Sequence, residues 1–458
     1  MMRHTMRHLA PLLVLGLALL VLTVVGLAID PPAIGGAPHV ARLGWLVILL
    51  CISATVYFIA VWLVLRRPWP KGAVWLVLGI AAILRLMLLT EPPMLSTDIY
   101  RYVWDGRVQA HDINPYRFIP ADPKLAFLRD ATIYPHINRK EYARTIYPPV
   151  AEMVFGLAGR LWDSVTCFQL AALAFEALGI GSLLALLQLA GLPRERILIY
   201  AWNPLALWSF ASDGHVDAIA VGFLGLALLL RARHRDGWAG AALGAAVMAK
   251  FLPVVVAPAL LRGGSFRRPA LAGLAVIAAG YAIYSGAGRH ILGFLPGYGA
   301  EEGLDSGQGF WLLAGLGKLA PLPGFASACY AGAVVLVYLA VSLFLLRRAP
   351  PRSDAQRLCQ DTGILIGVSL FAISPHYHWY FAWAALPAVV APSPALLWLA
   401  TAPLVLIIDP LGHSRFLWPS LIYGPAAALL ALGLIKRRAA ARPLSAETGN
   451  LPCPPQSR

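Results

Sequence analysis

Charge is what this chain of 458 residues has least of: Asp, Glu, Lys and Arg together make up 13% of it, about half the share of an average soluble domain. The five cysteines, Cys51, Cys167, Cys329, Cys359 and Cys453, are scattered with no C-x-x-C pair, so neither a disulfide framework nor a zinc site is expected. No G-x-x-x-x-G-K-[ST] loop occurs, which removes the usual cradle for ATP phosphates. H-E-x-x-H and G-x-S-x-G are missing as well, and with them the commonest zinc-protease and serine-hydrolase layouts. Gly297-Tyr-Gly299 leads to Gly303 at the wrong spacing for a dinucleotide loop. No D-x-D occurs, which argues against a nucleotide-sugar enzyme working through a divalent metal.

What is abundant is apolar. Hydrophobic residues make up 59% of the chain, with a mean hydropathy of +0.69. Residues 9–29 and 43–65 are nearly uninterrupted, long enough to cross about 30 Å of hydrocarbon. The first run is too long for a cleaved signal and ends without a clean A-x-A site, so it reads as a retained helix. Further runs at 72–90, 166–190, 196–211, 216–231, 238–249, 251–261, 269–285, 325–346, 360–374, 379–391, 394–408 and 417–435 give an all-α polytopic membrane protein. The expected bundle has about 12–14 transmembrane helices, some broken at Pro253, Pro258 and Pro387.

The net charge of +15 reflects topology rather than a nucleic-acid partner. With the N-terminus inside (Arg3, Arg7), the inside loops hold Arg66-Arg67, Arg194 with Arg196, Arg231 with Arg233 and Arg235, Arg262 with Arg267-Arg268, Arg347-Arg348 with Arg352, and Lys436-Arg437-Arg438. Both termini are then cytoplasmic. The outer face of the cytoplasmic membrane receives the long loop 91–149, Asp213-Gly-His215-Val-Asp217, Lys250, His376-Tyr-His378 and Asp409 with His413. Ionisable groups gathered at one membrane face point to a shared site.

In the long loop, Pro92-Pro93 precedes Ser96-Thr97-Asp98, a helix start with an acid in its first turn. Asp98, Arg101, Asp105 and Gln109 share one stripe at 3.6 residues per turn, while Ile99, Tyr102 and Val103 lie opposite. The expectation is an amphipathic helix showing its charged stripe to the outside and ending at Asn114-Pro115, with Arg101 and Asp105 able to pair. A carboxylate at the junction of membrane and loop loses hydration, which would make Asp98 a better base. Acids, cations and imidazoles at such a face suit transfer of a group from a lipid phosphate. One carboxylate takes the acceptor's proton while cations hold the departing phosphate.

The segment Thr97-Asp98-Ile-Tyr-Arg-Tyr-Val-Trp-Asp105-Gly-Arg-Val-Gln with Asp112-Ile-Asn-Pro-Tyr116 resembles the first-loop signature of GT-C glycosyltransferases, in particular bacterial polyprenyl-phosphate-mannose-dependent mannosyltransferases. Tyr147-Pro-Pro-Val, Trp202-Asn-Pro-Leu with Gly214-His-Val-Asp217, Lys250-Phe-Leu-Pro253 and Ser374-Pro-His-Tyr-His-Trp-Tyr380 are similar to later family segments. The resemblance implies an inverting transferase that moves a hexose, mannose by this likeness, from a polyprenyl-phosphate donor to a hydroxyl of a lipid or glycan acceptor. It implies no cofactor and no obligatory metal, the lipid-linked sugar phosphate being a substrate. It makes Asp98 the catalytic base and puts Lys250, His376, His378 and Arg101 by the donor phosphate, with Asp105, Tyr147, Asp213, His215, Asp217 and Tyr380 lining the substrate pocket. The family's loop follows the first transmembrane helix, and here it follows the third. Residues 1–66 therefore read as a two-helix N-terminal extension to a 67–438 membrane domain, with a Pro-rich disordered tail at 439–458. The competing reading is a transporter or lipid flippase without covalent chemistry. Such proteins carry ionisable groups near the midplane, often on inverted repeats, and no internal repeat is visible here.

Overall fold

The computed structural model describes residues 2–29, 37–262, 266–348, 354–409 and 412–440. Arg352 and all but the first two residues of the 439–458 tail lie outside the described residues. Among the described residues there is no strand, and the protein is an all-α polytopic membrane protein. Five stretches are long and apolar enough to span: His8–Ala28, Leu43–Arg66, Val165–Leu189, Ala326–Arg347 and Leu417–Lys436. A sixth forms if Arg267–Ile283 and Ser285–Glu301, bent by 87°, count as one span. The remaining apolar runs make shorter or broken helices, so the runs do not map one-to-one onto unbroken crossings. The run 196–211 divides into Leu198–Ala201, Pro204–Ala206 and a wide π-helical turn, Leu207–Ser212. Pro204 has no N–H for the preceding turn, and the Asn203 side chain caps the restart at Ala206 N.

Chain order builds the frame for the site. Helix α1 (Met2–Ala28) packs against both α2 (Ala37–Arg66) and α3 (Ala73–Leu88). Helix α4 (Asp98–Ala110) crosses α5 (Pro149–Leu161), and both meet α6 (Val165–Leu189). Between α3 and α6, Arg85 forms a two-pronged pair with Glu176, at 2.8 and 2.5 Å, and donates to the Ala201 carbonyl at 2.8 Å. A guanidinium inside an apolar bundle needs such complete pairing, because either charge alone would be left desolvated.

Helix α4 starts where expected, with the Ser96 hydroxyl accepting from Asp98 N at 3.2 Å, but it stops at Ala110, short of Asn114-Pro115, because Asp112 turns the chain with φ 57°. Its charged stripe does not face outward, however. Arg101, Asp105 and Gln109 are as buried as Ile99, Tyr102 and Val103. The reason is partner supply: Arg101 Nε binds Asp105 at 2.9 Å, and Gln109 donates to the Glu152 carboxylate at 2.9 Å, so most of the polar face finds partners against α5 and the returning loop, Arg101 Nη2 excepted. Gly106 makes the α4–α5 crossing tight enough, since a Cβ there would stand 2.4 Å from the Phe155 carbonyl oxygen.

The helix Asp217–Ala232 sets the polarity of the bundle, with Asp217 at its first turn and Arg231 at its last. At the Arg231 end three arginines from separate segments converge. Arg231 donates to Asp236 and to the Arg262 carbonyl, Arg262 to Asp361, and Arg357 Nε lies 3.3 Å from Asp361. The opposite end carries Asp217, with His215 and Lys250 against it.

Gly106→Ala is expected to overpack the α4–α5 crossing and cost about 1–3 kcal/mol. Gly79→Ala, which adds a methyl into open space, should leave stability unchanged or slightly raised. Thermal unfolding of the detergent-solubilised protein checks this, and equal midpoints for the two variants would contradict the close crossing.

Candidate active site

Local backbone features deliver each side chain. The π-helical turn Leu207–Ser212 ends in Asp213, and Gly214 follows at φ 58°, where a Cβ would also press to 2.5 Å from Ile99 Cδ1. This turn aims His215 toward α4, and Asp217 begins the next helix. Lys250 leaves the helix Asp236–Ala249 in extended conformation ahead of Pro253, which cannot continue it. Ser374 ends the helix Ala355–Ile373 left-handed, at φ 49°, and releases the 375–380 segment.

These pieces meet as a linear chain of polar groups. Asn138 Nδ2 donates to Asp98 Oδ1 at 2.7 Å, and Asp98 Oδ2 lies 3.3 Å from His215 Nε2. The other ring nitrogen, Nδ1, is 2.7 Å from Asp217 Oδ2, which also accepts from Lys250 Nζ at 2.9 Å. Both imidazole nitrogens face carboxylate oxygens, so the doubly protonated ring satisfies both contacts. Trp379 stacks on the His215 ring at 4.3 Å, and Lys250 sits 4.1 Å above the Tyr380 ring. Asp98 keeps 21% of its side chain exposed, whereas His215 keeps 1%. The open end of the chain is therefore the carboxylate.

Lys250 also lines a cavity of about 220 Å³ whose other walls include Tyr147, Phe251, Leu252, Leu295, Ile373, His376 and Tyr380. Its surface is mostly hydrocarbon and aromatic, with Lys250, His376 and Glu302 as the charged or ionisable members. His376 Nδ1 lies 3.1 Å from Glu302 Oε2. Burial opposes the charge on Glu302, but His376 and Arg415 outweigh it and hold the carboxyl below its usual range.

Other expected site residues are held apart. Arg101 is committed to Asp105 and to the Ala143 carbonyl, and neither Arg101 nor Asp105 reaches the cavity. Asp213 turns away to accept from Met94 N and Leu95 N at 3.1 and 3.0 Å, fixing the approach to α4. His378 is buried, and its Nε2 has no hydrogen-bond partner among the described residues. Among those residues, no three His, Cys, Asp or Glu side chains converge as a metal site.

A family model described as alpha-(1->6)-mannopyranosyltransferase, N-terminal domain, matches residues 12–262, more than half of the chain. The chain belongs to that mannosyltransferase family. The matched span holds Asp98, Asn138, His215, Asp217 and Lys250, while Glu302, His376 and Tyr380 lie beyond it. It also takes in most of α1 and all of α2. No curated protein and no solved structure matches the chain.

Asn138, Glu302 and Trp379 join this candidate site without having been expected there. Trp379 was within reach, flanked by His378 and Tyr380. Asn138 and Glu302 carry no local signal, since only the return of the loop sets Asn138 40 residues away against Asp98. The expected strengthening of Asp98 as a base is also overturned. Burial does oppose its charge, but His215, Asn138 and Lys250 outweigh that and hold the carboxyl below its usual range.

Asp98 in the free enzyme is thus ionised at and above the ordinary carboxylate range, and its charge is lost only at lower pH. Asn138→Ala removes one of the lowering contacts and leaves the burial, so the acid limb of kcat/KM against pH is expected to move upward. A pH profile identical to wild type would rule out control of Asp98 by Asn138.

Proposed function

We propose that this mannosyltransferase moves mannose from a polyprenyl-phosphate donor to a hydroxyl of a lipid or glycan acceptor, with inversion, on the outer face of the cytoplasmic membrane. The observation that carries this reading is the coupling of a partly exposed carboxylate, Asp98, through His215 and Asp217 to an ammonium, Lys250, in the wall of an apolar cavity. Hydrocarbon walls suit an isoprenoid chain, and the cation at their margin suits its phosphate. The outer-face assignment rests on the basic clusters, two of which, those of Arg231 and Arg262, meet at the far end of the helix that begins at Asp217.

In the reaction so read, Asp98 accepts the proton of the acceptor hydroxyl as that oxygen attacks the anomeric carbon from the face opposite the phosphate. The carbon–oxygen bond to phosphate breaks, and its electron pair leaves with the polyprenyl phosphate. Lys250 and His376 stabilise the developing phosphate charge, and Tyr147 and Tyr380 bound the sugar. No acid is required at a leaving group already this stable, so a single carboxylate suffices where hydrolysis by paired acids would need two. His215 and Asp217 act as positioning residues: they hold Asp98 ionised and aligned rather than touching sugar. Arg101 and Asp105 are read as supports of α4.

Asp98→Asn keeps the hydrogen-bonding shape and removes the base. Mannosyl transfer by the purified protein from polyprenyl-phosphate mannose is expected to fall by roughly 10²–10⁴-fold, with donor binding kept. A fully active Asp98→Asn enzyme would refute the assignment. Movement of mannolipid across liposomes without a glycosidic product would favour a flippase instead.

A further inference from the structure

Four cations on the side of the long loop take no part in the candidate site. Arg117, Lys124, Arg144 and Arg289 do not line its cavity, and none has an acidic partner among the described residues. They stand together all the same. Arg144 Nε donates to the Arg117 carbonyl at 3.3 Å, and the Arg117 and Lys124 cations lie 5.6 and 5.3 Å from the centre of the Phe118 ring. His290 is within electrostatic range of both Arg144 and Arg289. Their two segments are joined where Phe294 N donates to the Thr145 carbonyl at 3.3 Å, beside Gly293 at φ 56°. Asp122, near Lys124 in the chain, turns its Oδ1 to the Lys124 backbone N–H at 2.9 Å. Like charges gathered in this way repel, and an anion set among them would relieve it.

The level of the patch says where that anion comes from. The apolar helix Arg267–Ile283 is followed past Tyr284 by a bend of 87° into Ser285–Glu301. With that helix crossing the membrane, the segment after the bend runs along the membrane surface and keeps Arg289 there. Tyr281 and Tyr284 stand at the helix exit, as aromatic side chains do at headgroup level. The loop docks at the same height: Asn114 Nδ2 donates to the Tyr284 carbonyl at 3.1 Å, and the Tyr116 and Tyr284 ring centres are 5.3 Å apart. Arg117 is the next residue. Ile283 and Leu292, either side of Arg289 in the chain, are 61% and 50% exposed, so hydrocarbon flanks the cation. Apolar side chains beside unpaired cations are the pattern of an interfacial segment.

We infer that this patch binds the headgroups of anionic phospholipids in the leaflet on the side of the candidate site. Guanidinium groups suit a phosphodiester, and the exposed apolar neighbours suit the acyl chains below it. Headgroups bound there hold down the loop 91–149, which carries Asp98 and Asn138. The inference stands apart from the proposed transfer reaction, because none of the four cations enters it.

The test uses the full-length protein in detergent with phosphatidylglycerol carrying a photoactivatable diazirine at its headgroup, and phosphatidylcholine labelled in the same way. Crosslinked peptides are mapped by mass spectrometry. Expected are phosphatidylglycerol adducts within 114–124 and 285–294, with few from phosphatidylcholine. At lipid well below saturation, the double variant Arg117→Gln with Arg289→Gln should lower those adducts roughly 20-fold, a factor of about five for each cation near an anionic surface. Both side chains are exposed, and adducts at the Arg231 end should stay at the wild-type level, reporting a folded protein. In the wild type, the same adducts should fall as sodium chloride is raised, a reading that needs no variant. Equal labelling by the two lipids, labelling indifferent to salt, or labelling that a folded variant leaves intact would each overturn the inference. So would loss of the adducts to millimolar inorganic phosphate, which marks a small-anion site.

Discussion

Four side chains of alternating charge, Asp98, His215, Asp217 and Lys250, hold the centre of this protein together. With the imidazole doubly protonated, the row is neutral as a whole, and each member is compensated by its neighbour. That neutrality lets ionised groups persist among aromatic and aliphatic walls, where an isolated charge would be strongly disfavoured. The same row ties three separate segments into one object: the start of α4, the turn before the helix Asp217–Ala232, and the point where the chain leaves the helix Asp236–Ala249. Removing one member leaves the next as an uncompensated buried charge, so structure and chemistry share one dependence.

The helices behave as a frame for that row. The Arg85–Glu176 pair fixes α3 to α6, the Gly106 crossing fixes α4 to α5, and Gly214 bends the chain so that His215 meets α4. The cost of ordering this loop is met by burying α4 on all sides, with Gln109 held by Glu152 and Tyr284 and Asp105 by Arg101. In the proposed reaction Asp98 is a base held below the usual carboxylate range, and so a weak one. It suits a reaction in which the donor bond breaks early and the acceptor's proton leaves late, because the carboxylate then matters as a placed negative charge as much as a proton sink.

Much of this was legible before any coordinates. Apolar runs named the architecture, and Thr97-Asp98 after Pro92-Pro93 marked the start of α4. The segments holding His215, Asp217, Lys250 and His376 stood out as ionisable groups between apolar runs. Their grouping was less legible. Periodicity placed Asp98 and Arg101 on one stripe, and Arg101 pairs along it with Asp105, yet Asp98 leaves the stripe to meet His215 from a distant segment. Burial of the stripe depended on Glu152, an acid within an apolar helix whose partner sits 43 residues earlier. Asn138 and Glu302 were silent because a lone amide in a loop or an acid between apolar runs has no period to betray its contact. Where each run breaks was also hard to read, since the π-helical turn Leu207–Ser212 leaves no mark in composition.

Inversion at a lipid-linked phosphate is the claim on which the mechanism stands, and stereochemistry tests it most directly. The purified protein, reconstituted in lipid, would be offered polyprenyl-phosphate mannose of either anomeric configuration, or a nucleotide diphosphate mannose, with a mannoside acceptor. The new linkage would be read by NMR. The account predicts turnover of the β-anomeric lipid phosphate alone, giving an α-linked product and one equivalent of free polyprenyl phosphate. An α-linked product formed from the α-anomeric donor, or from the nucleotide sugar, would contradict it.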